Sequence, residues 1–320
     1  MEPTPPNPEP QPAAPQPPAM SLAGRLLNVV AAPGEVFESI KAAPVRTANW
    51  LVPVLIACAV GIMYVLVVFS QESIQLQLRE AQEKAFQQQV EAGKMTQQQA
   101  DQAVAVTQRF SGPAMMKIFG SVGAVFGNFA YVFLVGLALF LVGARPSDAK
   151  RWARWIGAVL VGFFAALLTI KLFAGMGWQL RVLLFFVSWA VVVGVMTLLI
   201  VMIDRINPFG GSFTYMKAVE VCALAGMVNV LGGIVTMLLA VAMGSLYANP
   251  GPVLLIREFD VVNKVHLALA AVNLVVIWYT LVLGAGLAKL SGASFIKSFL
   301  WLFVPYATLR AGVILLGVGQ

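Results

Sequence analysis

The sequence predicts an all-α, polytopic transmembrane helical bundle of about seven spans, with a soluble helical hairpin between the first two. Three observations predict it. The chain of 320 residues is 59% hydrophobic and only 11% charged, whereas a soluble globular domain carries roughly 25% charged residues. The mean hydropathy is +0.84, so the surface suits a bilayer rather than water. The apolar residues are also gathered into long charge-free runs, the pattern that a membrane helix of about 20 residues requires.

Residues 1–20 hold nine of the eighteen prolines. Glu2 and Glu9 are their only charged side chains. Such a stretch buries no core and reads as an extended, disordered tail. It lacks the basic start and apolar centre of a secretory signal. Residues 21–48 form the next unit, amphipathic and cytoplasmic. Ser21 is placed to cap a short helix carrying Leu22, Leu26, Val29 and Val30, with Arg25 and Asn28 as polar members. Pro33 suits the first turn of a second helix with Val36, Phe37 and Ile40 at helical spacing. The segment is expected to lie on the inner membrane surface.

The membrane domain is read as residues 49–320. Its expected spans are Leu51–Phe69, Ile118–Ala144, Trp155–Ala174, Val182–Ile203, Val221–Leu246, Leu267–Ala288 and Phe299–Val318. Between the first two, residues 71–112 are rich in Gln, Glu and Ala and read as an extracytoplasmic hairpin of two helices. Gly93 is placed to end the first arm. Thr96 and Gln99 have capping-box spacing for the second. Pro113 suits the first turn of the helix that runs into span two.

Lys and Arg in short loops set orientation. With the N-terminus cytoplasmic, eleven cations fall inside, from Arg25, Lys41 and Arg46 to Lys289 and Lys297. Much of the outer share sits in the hairpin, where Glu72, Glu80, Glu83, Glu91 and Asp101 balance it. An odd span count then puts the C-terminus outside. The net charge of +7 follows from this loop bias, and no basic cluster interleaved with aromatics points to nucleic acid.

Catalytic signatures are missing. The sequence has no phosphate-binding loop and no strand-associated dinucleotide fingerprint. His266 is the single histidine, and Cys58 and Cys222 stand apart within apolar runs, which leaves no metal-ligand spacing and no disulfide framework. Ser294-Phe-Ile-Lys297 matches one element of an acyl-transfer motif but lacks its companions. The expectation is a non-enzyme without a cofactor.

Two groups of residues remain as candidates. Gly120, Gly123 and Gly127, with Gly284 and Gly286, have the small-residue spacing that lets helices approach closely. Internal packing is the first reading, and dimerisation through span two is the second. Asn128, Lys171, Glu220, Asn229, Asn273 and Arg310 are polar residues in or beside spans, which marks them for function. Glu220 follows Lys217 by three residues and suggests a local pair. Lys171 has the length to snorkel outward. The asparagines are expected to bridge helices.

Several patterns occur in order. Ala32-Pro33-Gly34-Glu35-Val36-Phe37-Glu38 precedes the first span, and Trp50-Leu51-Val52-Pro53 opens it. Ser212-Phe213-Thr214-Tyr215-Met216-Lys217-Ala218 leads into span five. Asn273 to Trp278, Leu283 to Leu287 and Phe295-Ile296-Lys297 follow. Together they resemble the Yip (Ypt/Rab GTPase-interacting) family in its bacterial branch, over most of residues 21–318. The resemblance implies a compact bundle with a cytoplasmic N-terminus in the cell (inner) membrane, and a partner-binding or membrane-organising role. Pro33, Phe37, Trp50, Pro53, Tyr215 and Trp278 are its motif residues. Residues 145–205 depart from the usual five spans by an added pair. The Asp-Leu-Tyr-Gly-Pro-type element of eukaryotic, GTPase-binding members is not present. The expected partners are the bilayer, a membrane or extracytoplasmic protein on residues 71–112, and a second copy of the chain if span two dimerises. The alternative function is a small-molecule, ion or lipid transporter or channel.

Overall fold

Charge-free apolar runs fold as helices because only a helix satisfies its own backbone in lipid. The computed structural model describes residues 20–91, 93, 95–110, 113–143, 186–187, 209, 211–256, 259–260 and 263–316. Its long elements are all helical. Four helical segments are long and apolar enough to cross a membrane: Thr47–Val68, Ala114–Gly143, Tyr215–Met243 and Leu274–Ser291. This is fewer than seven. The expected runs 155–174 and 182–203 lie outside the described residues, apart from Phe186 and Val187. The run from Phe299 is helical but is not one of the four.

The N-terminal segment supplies α1 (Leu22–Ala31) and α2 (Pro33–Ala42). Ser21 caps α1 by accepting from the Gly24 N–H at 3.1 Å. Pro33 stands in the first turn of α2. The apolar stripe differs from its expected surroundings. Val29, Val36, Phe37 and Ile40 are fully buried, packed with residues of later spans. Protein, not lipid, covers that stripe, and Leu27 is left exposed.

The first span is α3 (Thr47–Val68). Its 22 residues rise about 33 Å at 1.5 Å each, enough for a hydrocarbon core. The hairpin follows as α4 (Glu72–Glu91) and α5 (Gln97–Phe110). Gly93 lies between them with φ +67°, the left-handed region that glycine enters without a Cβ penalty. The Thr96 capping box closes as its spacing predicts. The Gln99 N–H donates to Thr96 Oγ1 at 3.3 Å, and the Thr96 N–H donates to Gln99 Oε1 at 2.9 Å. The second span, α6 (Pro113–Gly143), starts at the expected proline.

The expected fifth span begins earlier and is built from two helices. In α7 (Tyr215–Ala225) Thr214 caps the start, and α8 (Met227–Met243) follows across Gly226. All nine residues from Lys217 to Ala225 are buried, as for a helix enclosed on every side. Helices α1, α2, α3, α6 and α10 surround α7. The chain then passes a short 3₁₀ turn at Pro252–Leu255 and α9 (Lys264–Ala271), and reaches α10 (Leu274–Ser291) and α11 (Phe295–Leu316). The sixth span was expected from Leu267. The helix is interrupted at Val272 and Asn273, and α10 begins anew with Asn273 as its cap.

The root of α4 docks on the bundle. Ile74 is fully buried in a small cluster with Val68, Met237 and Ala240. The Gln77 side chain donates to the Gly244 carbonyl at 2.7 Å and accepts from the Leu246 N–H at 3.4 Å. Gly244, at φ +60°, ends α8.

Candidate functional site

Burying a charge is costly unless it is paired and hydrogen-bonded. Among the described residues, four buried side chains carry a charge or an amide: Arg25, Asn49, Lys217 and Glu220. All four belong to one network. Glu220, at 0% exposure, lies on the enclosed helix α7. Its Oε1 accepts from the Arg46 N–H at 2.7 Å and from Asn49 Nδ2 at 2.8 Å. Its Oε2 is 3.1 Å from Lys217 Nζ, so the expected local pair forms. Lys217 Nζ also donates to the carbonyls of Ile40 at 2.6 Å and Ala43 at 2.5 Å, at the C-terminal end of α2. There the carbonyls lack helical partners and attract a cation. Arg25 donates to Asn49 Oδ1 at 3.0 Å.

The network therefore joins α1, the end of α2, the start of α3 and α7. Burial lowers the Arg25 pKa from its ordinary value; the nearby Arg46 charge lowers it further, and Glu220 opposes both. The buried serine and threonine hydroxyls need no distant partner. Thr280, Ser291 and Ser298 donate to the carbonyls of Val276, Leu287 and Ser294 on their own helices. A second ion pair is peripheral: Lys289 Nζ lies 2.9 Å from Glu38 Oε2, and both side chains are exposed. The Lys289 hydrogen bond is the main cause that lowers the Glu38 pKa, against desolvation, and the Lys289 and Lys41 charges add to it.

Two hollows among the described residues also hold polar side chains. The first, of about 180 Å³, lies where α3, α6, α7 and α8 meet at the Gly226 break; Pro53, Tyr64, Asn128, Tyr131 and Asn229 line it. The second is a groove of about 440 Å³ along α9, α10 and α11, which Asn273, Tyr306 and Arg310 line among apolar side chains. The intramembrane candidates are thus divided. Asn128 and Asn229 share the first hollow, Asn273 and Arg310 the second, and Glu220 belongs to the network. Lys171 lies outside the described residues.

Two of the three asparagines bond to their own helices. Asn128 donates to the Ala124 carbonyl of its own helix at 2.7 Å. Asn273 caps α10 by accepting from the Val275 N–H at 2.9 Å. A short amide reaches its local backbone more readily than a neighbouring helix.

The glycines separate as well. A Cβ at Gly120 would stand 2.8 Å from Val65 Cγ1, and one at Gly284 would stand 3.1 Å from Phe299 Cα. A Cβ at Gly286 would overlap Val221 and crowd Phe37. These three are close crossings of α6 on α3, α10 on α11 and α10 on α7. No described atom lies within 4 Å of a Cβ at Gly123 or Gly127, so neither makes a described internal crossing. Gly136, Gly143 and Gly232 are close approaches that were not anticipated: a Cβ there would meet Val219, Leu287 and Val275.

Of the motif residues, Pro33 opens α2, Phe37 packs beside Gly286, and Pro53 lines the first hollow. Trp50 meets Phe133 edge-on at 5.4 Å, and the Tyr215 hydroxyl donates to the Phe133 carbonyl at 3.0 Å. Trp278 is on the surface.

Arg25 and Asn49 were missed as site residues. The signal for Arg25 was its register, three after Leu22 and four before Val29, on the apolar face of α1. No metal-binding group of three or more His, Cys, Asp or Glu occurs among the described residues. No family model matches the chain, and no curated protein and no solved structure matches it.

Proposed function

We propose that the chain is a non-enzymatic, multi-span membrane scaffold of Yip-like type, with a cytoplasmic N-terminus and an extracytoplasmic hairpin that offers a partner surface. The carrying observation is that Arg25, Asn49, Lys217 and Glu220 are all engaged with one another or with backbone. Groups used this way lock the N-terminal helices onto the bundle; none is left as a general base or as a stepping-stone for an ion. The hairpin is fixed at its root through Ile74 and Gln77, while Glu80, Glu83 and Lys84 follow beyond that anchor. In this reading the spans are seven, and residues 145–205 supply the added pair.

Replacing residues 82–106 with a flexible linker tests the role of the hairpin. Crosslinked partners recovered from intact membranes should be lost with the folded bundle retained. An unchanged partner set removes the hairpin from the function.

A transporter is the second reading, favoured by the hollow at the Gly226 break, because interrupted helices at membrane depth line cavities. Flux in proteoliposomes that depends on Asn128 and Asn229 would support it. No flux in the wild type, or flux indifferent to Asn128→Ala and Asn229→Ala, would remove it.

A further inference from the structure

The groove along α9, α10 and α11 contains a cation that nothing among the described residues accounts for. Arg310 is exposed and forms no ion pair or hydrogen bond with the described residues. No acidic side chain lines the groove. An unpaired arginine on a membrane helix is costly and is found with a partner or at a polar interface. Its level fits an interface. The groove takes Asn273, Val276 and Ile277 from α10, which is the first turn of that span and its cap.

The other polar lining residues add to the case. Asn273 Oδ1 is engaged by the Val275 N–H, which leaves the amide nitrogen as the group still able to donate. Tyr306 brings a hydroxyl. The remaining lining side chains are apolar, among them Phe303, Ala307, Ala311 and Ile314. At about 440 Å³ the groove falls in the usual range of small-molecule sites, roughly 300–1,000 Å³. Its occupant must be apolar along its body and anionic at one end. In a bilayer that description fits a phospholipid with a net negative headgroup.

We propose that this groove is a binding site for an anionic phospholipid, with an acyl chain along α10 and α11 and the acidic headgroup on Arg310. The inference rests on the chain being a membrane protein and is independent of the scaffold reading. A lost lipid site would leave the hairpin's partners unchanged.

The experiment titrates the purified full-length protein in detergent with dioleoyl phosphatidylglycerol or dioleoyl phosphatidylcholine and counts bound lipid by native mass spectrometry. The wild type should retain phosphatidylglycerol about tenfold more strongly, the factor that one charge-assisted contact supplies. Arg310→Gln should abolish the preference, and Arg310→Lys should keep most of it. Ala311→Phe, which fills the groove and leaves the charge, should weaken retention of both lipids. It also keeps the proposal testable if Arg310→Gln fails to fold. Equal retention of the two lipids by the wild type overturns the proposal. So does a preference that survives in folded Arg310→Gln, or retention indifferent to Ala311→Phe.

Discussion

At the scale of single residues, Glu220 carries the most consequence. Its carboxylate is fully buried and neutralises Lys217, so removing the charge strands a buried ammonium. Breaking such a pair costs about 3–5 kcal/mol. Glu220→Gln should therefore lower the thermal midpoint in detergent strongly, and should loosen α1 and α2 first, read as faster amide exchange over residues 22–42. Glu38 makes the opposite case. The Lys289 hydrogen bond lowers its pKa in the folded state. Its contribution is present above the ordinary glutamate value and is lost as pH falls through the depressed one. Both partners are largely exposed, so solvent and salt limit the pair to less than about 1 kcal/mol. The small difference in thermal midpoint between wild type and Glu38→Gln at neutral pH should vanish in acid and shrink in high salt.

At the scale of elements, two glycines are required for different reasons. Gly286 has φ in the ordinary range, but a Cβ there would overlap Val221 and crowd Phe37. Gly286→Val should force α10 away from α7 and α2, at a cost of about 1–3 kcal/mol or more from overpacking. Gly93 has nothing within 4 Å, yet its φ is +67°. Gly93→Ala should cost about 1 kcal/mol through backbone strain alone and leave the bundle unaffected. Thermal unfolding together with amide exchange separates the two, with loss localised to residues 86–100 in the second variant. The features read correctly from the sequence are of this local kind. The Ser21 cap, the Thr96–Gln99 box, Pro113 at a helix start and the Lys217–Glu220 pair each lie within a few positions. One element misread at its boundary was the sixth span. Asn273 sits inside an apolar run whose hydropathy continues through it, and hydropathy does not register a cap.

At the scale of the whole molecule, the N-terminal helices, the end of α6, the starts of α7 and α11 and the end of α10 gather at one end. The hairpin and α9 occupy the other. With an N-in orientation, a cysteine at Ser39 should react with a membrane-impermeant maleimide only from the cytoplasmic side, and one at Gln97 only from outside. The native Cys58 and Cys222 are buried and should stay silent. Reaction of both new cysteines from one side would reject the arrangement.

The sequence by itself determined the solvent, the helical class and the local punctuation, because those follow from composition, run length and contacts between near neighbours. Only the tertiary structure decided which polar residues meet. Asn49 and Glu220 are 171 positions apart, and Lys217 reaches Ile40 across 177. No periodicity encodes such pairings. The same lack of range explains the candidate site. An arginine in a span looks alike on paper whether a carboxylate faces it or not. Folding left Glu220 occupied within the bundle, and Arg310 without a partner among the described residues beside an apolar groove.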